Sequence, residues 1–112
     1  MKNILYLSLF VSLSAIQCSK NKALPDCLQK RITEIKKLPK GSIAIEIDEF
    51  IYKGRKVYLF TSDCCDQYNP LYNESCDYIC APSGGFTGKG DFKCKDFSDS
   101  AKFVRLVWKE SR

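Results

Sequence analysis

The chain has 112 residues, enough for one domain of ordinary size and too few for a multidomain enzyme. It is 45% hydrophobic and 28% charged with a net charge of +5, a balance that excludes both a disordered tail and a multi-span membrane protein. Histidine is absent, which removes the commonest general base, the commonest metal ligand and every Ser-His or Cys-His nucleophile, whereas seven cysteines are far above the usual content.

Residues 4–16 carry no charge and follow a single lysine, Lys2, the pattern of a secretory signal. The run is shorter than the roughly 20 residues that a spanning helix needs. It ends in Ala15-Ile16-Gln17-Cys18, which resembles a bacterial lipobox, although Gln17 stands where a small residue is usual. The expectation is removal of residues 1–17, acylation of Cys18 and a polar tether over 18–24, followed by a single domain over 25–112. Two or more acyl chains would anchor the protein stably to a membrane of the bacterial cell envelope, the outer one in a Gram-negative cell. Residues 20–56 hold ten Lys/Arg against five Asp/Glu. That excess suits either a solvated face or contact with anionic headgroups or cell-wall polymer. No nucleic-acid recognition motif is present, so no nucleic-acid partner is expected.

Pro25-Asp26 suits a helix start, and Leu28, Ile32, Ile35 and Leu38 form one apolar stripe that Pro39 and Gly41 end. From Ile43 the period changes to two, with Ile43, Ile45 and Ile47 against Ala44, Glu46 and Asp48, and the strand continues to Tyr52. Lys53-Gly54 reads as a type I turn plus bulge into a second strand over Arg55 to Ser62, apolar on both faces and so central. Residues 63–74 read as a loop, 77–80 as a short strand, 82–91 as a glycine-rich loop and 103–109 as a last strand. The predicted class is α+β: one N-terminal helix packed on a small antiparallel sheet of about four strands, two layers deep and stabilised by disulfides.

Setting Cys18 aside leaves Cys27, Cys64, Cys65, Cys76, Cys80 and Cys94, an even number in an exported chain and therefore a disulfide framework. A zinc site is the competing reading, weakened by the missing histidine and by oxidation of free thiolates outside the cytoplasm. Fifteen connectivities are open. Cys27 is placed to staple the helix to the body of the domain, and Cys80 with Cys94 would close the glycine-rich loop. Adjacent Cys64 and Cys65 point to opposite sides of an extended segment, so each is expected to reach a different partner.

The run Val57-Tyr58, Cys64-Cys65-Asp66, Asn69, Leu71-Tyr72, Ile79-Cys80-Ala81-Pro82-Ser83-Gly84-Gly85, Gly88-Lys89-Gly90-Asp91 and Cys94 resembles a domain family of unknown function found in small bacterial lipoproteins. Cys27-Leu28 and Leu106-Val107-Trp108-Lys109 extend the resemblance over most of the chain. It implies one domain in the cell envelope and no particular chemistry.

Between Pro82 and Asp91 the glycines invite comparison with a phosphate-binding P-loop, but Ser83 stands where the first glycine belongs and Gly90 where Ser or Thr must follow the lysine. A nest of backbone amides beside Lys89 and Lys93 is the weaker anion-binding option, and a disulfide-bound turn is the structural alternative. Asp63, Asp66, Glu74, Asp77, Asp91 and Asp96 raise the option of calcium, without EF-hand spacing, or of turn capping. Neither a catalytic residue nor a cofactor is expected; the alternatives are a structural, calcium- or disulfide-stabilised envelope module without a dedicated ligand, and a small hydrolase or an inhibitor of one. Tyr68, Tyr72, Tyr78, Phe86 and Phe92 lie in or beside these loops, as recognition surface or as lids over a small core. The candidate binding residues are Tyr68, Tyr72, Phe86, Lys89 and Asp91, offered to an envelope protein or glycan.

Overall fold

A computed structural model describes residues 23–40, 42–62 and 66–111. The expected signal, the Cys18 acylation site, most of the tether, and Asp63, Cys64 and Cys65 lie outside the described residues.

Helix α1, Asp26–Lys36, starts where Pro25 supplies the first carbonyl, which accepts from the Leu28 and Gln29 amides. Asp26 and Lys36 sit at the ends of α1 that their charges favour. Leu28, Ile32 and Ile35 are buried as the stripe predicts. Leu38 is not, because the helix ends at Lys36, three residues before Pro39, whose ring disfavours helical backbone in the residue ahead of it. Five antiparallel strands follow: β1 (Glu46–Tyr52), β2 (Arg55–Thr61), β3 (Tyr68–Tyr72), β4 (Tyr78–Gly84) and β5 (Lys102–Lys109), with a four-residue helix α2 (Phe97–Ser100) before the last. They form one sheet in the order β4-β3-β2-β1-β5, so the first hairpin is central as expected.

The α+β architecture agrees with the sequence, and the count of about four strands is corrected to five. The additional strand is β3, in the segment read as a loop. Pro70 there reads as a breaker, yet it stands at a register shift between Asn69 and Leu71, where the ladder tolerates a missing N–H. The β1–β2 connection also differs. Tyr52 pairs with Arg55, and Lys53 and Gly54 have φ of 55° and 78°, so the link is a two-residue turn of the I′ type, matching the twist of its strands. Strand β1 begins at Glu46, later than the alternation suggests, and leaves Ile43 exposed while Ala44 is buried.

Both faces of the sheet carry a core. On one, α1 packs Leu28, Ile32 and Ile35 against Ile47, Tyr58 and Phe60, with Trp108 and Tyr72 at its margin. On the other, Tyr52, Val57, Leu71, Cys80, Cys94 and Phe97 cluster under the segment that carries α2. The second face is therefore covered in part, where a two-layer arrangement leaves it bare. Phe97 is the keystone, its ring edge-on to Phe50 at 5.0 Å and to Tyr52 at 5.2 Å.

Among the described residues, two disulfides hold these layers. Cys27–Cys76, with Cα atoms 6.0 Å apart, ties α1 to the β3–β4 turn, and Cys80–Cys94, at 6.1 Å, ties β4 to the segment before α2. The second is the pairing favoured from the sequence. These two bridges use four of the six cysteines other than Cys18, and the expectation that Cys64 and Cys65 each reach a different partner falls outside the described residues.

Candidate functional site

At the β4 edge the chain doubles back. From Gly84 it turns through four glycines, Gly84, Gly85, Gly88 and Gly90, with φ between 76° and 84°, a conformation that costs an L side chain. The amides of Gly84, Gly85, Gly88 and Gly90 donate to the carbonyls of Gly88, Gln67, Gly85 and Gly84, and the Asp91 amide donates to Ala81 at 2.9 Å. Lys89 N–H donates to Thr87 Oγ1. These amides are taken up by acceptors of the loop, of β4 and of Gln67, which corrects the anion-nest option and favours the disulfide-bound turn.

Asp91 is likewise engaged. Its carboxylate accepts from the Tyr78 hydroxyl and, at 3.0 Å, from the Lys93 amide. Burial acts to raise the Asp91 pKa, but these hydrogen bonds outweigh it and hold the carboxyl below its usual range. The Tyr78 phenol is pushed up to about 12 by burial and then by this bond. Asp96 is lowered chiefly by the Tyr52 hydroxyl, which donates to it at 2.6 Å. The two carboxylates thus build turns. Among the described residues, no group of three or more His, Cys, Asp or Glu side chains is placed to hold a metal ion.

The turn that Asp91 caps projects Phe92. This residue has φ of 67°, rare for a bulky side chain, and its ring is 54% exposed. The Asp91–Lys93 hydrogen bond on one side and the Cys94 bridge on the other fix it there. Lys95 Nζ lies 5.8 Å from its ring centre, and Lys93 Nζ lies 5.8 Å from that of Tyr78. Pro82, Lys89, Phe92 and Lys95 line an open cleft of about 430 Å³. Phe86, at 89% exposure, stands nearly free in the same loop.

The five candidate binding residues therefore divide. Lys89 lines the cleft with Phe92, Phe86 is exposed elsewhere in the same loop, and Tyr68, half exposed on β3, lies along the Gly85 backbone. Asp91 supports the patch from beneath. Tyr72 stands apart, packed 5.0 Å from Phe60 and 4.9 Å from the Arg31 guanidinium against the α1 core, so it answers to the lid reading. Lys95 has no motif to announce it, and Phe92, one of the loop aromatics, stands outside the candidate set because what marks it is its backbone conformation.

Two further acidic sites emerge on β1. Glu49 is buried, 3% exposed, on the face that Ile47 shares, and accepts from Arg105 Nε across the β1–β5 ladder at 2.8 Å. Its phase with Ile45 and Ile47 was the signal in the sequence. On the opposite face, burial and the neighbouring Glu46 raise the Asp48 pKa to about 6, and Lys109 offsets part of this. A carboxyl raised in the folded state gives stability that is complete below its unfolded value and is lost as pH climbs through about 6. Asp91 and Asp96 act in the opposite sense, their stabilisation fading on acidification. The variant Asp48→Asn is expected to melt higher than the wild type at pH 7 and to flatten the loss of stability between pH 4 and 6. Melts across that range check it, and an unchanged pH slope would refute the role of Asp48.

The fold and the patch define a small disulfide-held α+β domain that displays an aromatic and lysine surface at one sheet edge. A family model described as a domain of unknown function (DUF6970) matches residues 33–110, and the chain belongs to that family. No curated protein and no solved structure matches the chain.

Proposed function

We propose that this protein is a non-catalytic lipoprotein of the bacterial cell envelope, anchored through Cys18, whose glycine-rich loop binds an envelope protein or glycan. The observation that carries the binding role is Phe92. A left-handed backbone costs a residue with a Cβ about 1–2 kcal/mol, and glycine would avoid that cost. Phe92 nonetheless stands in that conformation with its side chain half exposed, in a cleft it shares with Pro82, Lys89 and Lys95. Backbone strain held in place by a capped turn and a bridge is a mark of a working surface. Exposed aromatic rings with flanking cations suit a sugar face or a protein epitope. The nearby carboxylates Asp91 and Asp96 are committed to tyrosine hydroxyls, which favours binding over acid–base chemistry.

The test pairs a melt with a binding assay, using insoluble cell-wall glycan and envelope-protein extract as probes. Phe86→Ala is expected to leave the melting temperature unchanged and to weaken retention about thirtyfold, the effect of losing one hot-spot aromatic. Phe92→Gly is expected to melt at the same temperature or higher, through relief of strain, and also to lose retention. Retention equal to wild type in both variants would defeat the reading.

A further inference from the structure

The β5 edge, opposite the glycine-rich loop, carries a second surface. Of the large hydrophobic side chains exposed among the described residues, Tyr68, Tyr78, Phe86 and Phe92 lie at or near the β4 edge, whereas Phe103, Val104 and Leu106 lie on β5. Leu38 and Ile43, 42% and 44% exposed, flank the end of α1 and the start of β1. With neighbouring strands about 4.8 Å apart, the two edges are roughly 19 Å from each other. Between the last turn of α1 and β5 runs a groove of about 270 Å³, with Ile35, Leu38 and Trp108 as its apolar lining. Lys36, Lys40 and Lys109 line it too, and Glu110 is the one acidic residue there.

We propose that this edge binds a membrane surface rich in anionic phospholipid, with the lysines meeting headgroups and Trp108 and Leu38 reaching the interfacial layer. Charge complementarity points to an anionic occupant. Tryptophan and aliphatic side chains beside lysines, whose long stems cover apolar surface while the ammonium stays at the headgroups, are the chemistry of an interfacial contact. A second copy of the chain fits poorly, because Arg105 is taken up by Glu49, and Lys102 and Lys109 leave β5 with cations and no acid to offer a copy of itself. An added peptide strand fits poorly as well. The pairing of β5 with β1 shifts register twice, between Ile47 and Asp48 and between Glu49 and Phe50, and such bulges spoil a free edge for continuous pairing. The surface is separate from the loop patch, so one edge is free to lie on lipid while the other faces away from it.

Trp108 is the single tryptophan of the chain and lines the groove, so its fluorescence reads this surface alone. The full chain is mixed with vesicles of brominated phosphatidylglycerol or of brominated phosphatidylcholine. Residues 4–16 are free to bring the chain to either vesicle, but only contact at the groove quenches Trp108. The expected result is strong quenching by the anionic vesicles, weakening as salt is raised from 50 to 500 mM, and little by the neutral ones. Lys36→Glu with Lys40→Glu is expected to weaken the anionic response at least about thirtyfold, from about 1 kcal/mol per basic residue at such a surface. Circular dichroism establishes that the variant is folded, and the salt series on the wild type stands whether or not it is. Equal quenching in the two lipids, no quenching in either, or a Trp108 response to soluble polyglutamate but not to anionic vesicles would overturn the proposal. The last of these outcomes would assign the groove to an acidic protein.

Discussion

Replacing Cys27 and Cys76 together with serine is expected to lower the unfolding free energy by about 4 kcal/mol, the chain-entropy value for a loop of this length. The bridge spans a sequence separation of 49 and is the covalent link between α1 and the sheet, through the turn from Asn73 to Asp77. Without it the unfolded chain regains the freedom of that whole loop, while the helix keeps only the burial of Leu28, Ile32 and Ile35. The Cys80–Cys94 bridge, with a separation of 14, is worth about 3 kcal/mol by the same relation. The two loops do not overlap, so the losses should add. A domain of this size has a total stability of about 5–15 kcal/mol, so the first double variant loses a large share of it. Urea unfolding gives the difference directly, and a loss below 1 kcal/mol would mean that packing alone holds α1. The bridges also differ in what they support: loss of Cys27–Cys76 should leave the Phe92 patch binding, whereas loss of Cys80–Cys94 frees one of its two supports.

Much of the fold was legible because its periodicities are unmixed. The stripe from Leu28 to Ile35 has helical spacing, and the central hairpin is apolar on both faces, as a sheet with a core on each side requires. What stayed hidden depended on contacts distant in sequence. Strand β3 contains a proline and pairs with β2 at two positions, Tyr58 with Tyr72 and Leu59 with Leu71, so nothing local distinguishes it from a loop. Leu38 continues the helical stripe in sequence, but Pro39 stops the helix and turns it into exposed surface. The candidate site was legible as a region and not as a set of residues. Glycine, aspartate and aromatic side chains marked the loop. Whether a given ring covers the core, as Tyr72 does, or projects from it, as Phe86 and Phe92 do, is decided by backbone torsions and register that composition does not encode.

The glycines of that loop allow the steric part of the argument to be isolated. Gly90 and Gly88 have nearly the same φ, +76° and +79°, so alanine pays the same conformational cost at either, about 1–2 kcal/mol. Their surroundings differ. A Cβ on Gly88 would meet nothing within 4 Å, whereas one on Gly90 would fall 1.9 Å from the Ala81 carbonyl oxygen and 2.8 Å from the Pro82 carbonyl carbon. Both of those are backbone atoms of β4, and the Ala81 oxygen is the acceptor of the Asp91 amide, so relieving the clash breaks the hydrogen bond that closes the loop. Gly90→Ala is therefore expected to cost about 3–5 kcal/mol, conformational strain and overpacking together, against about 1–2 kcal/mol for Gly88→Ala. Gly90→Ala should also weaken binding, because the displaced Asp91 no longer caps the turn that holds Phe92. Gly88→Ala should keep binding near wild type, since the Gly90 amide and the Asp91 turn are untouched. Melts and retention assays on the pair read both effects, and equal losses of stability in the two variants would show that the close approach of Gly90 to β4 does not decide the shape of the loop.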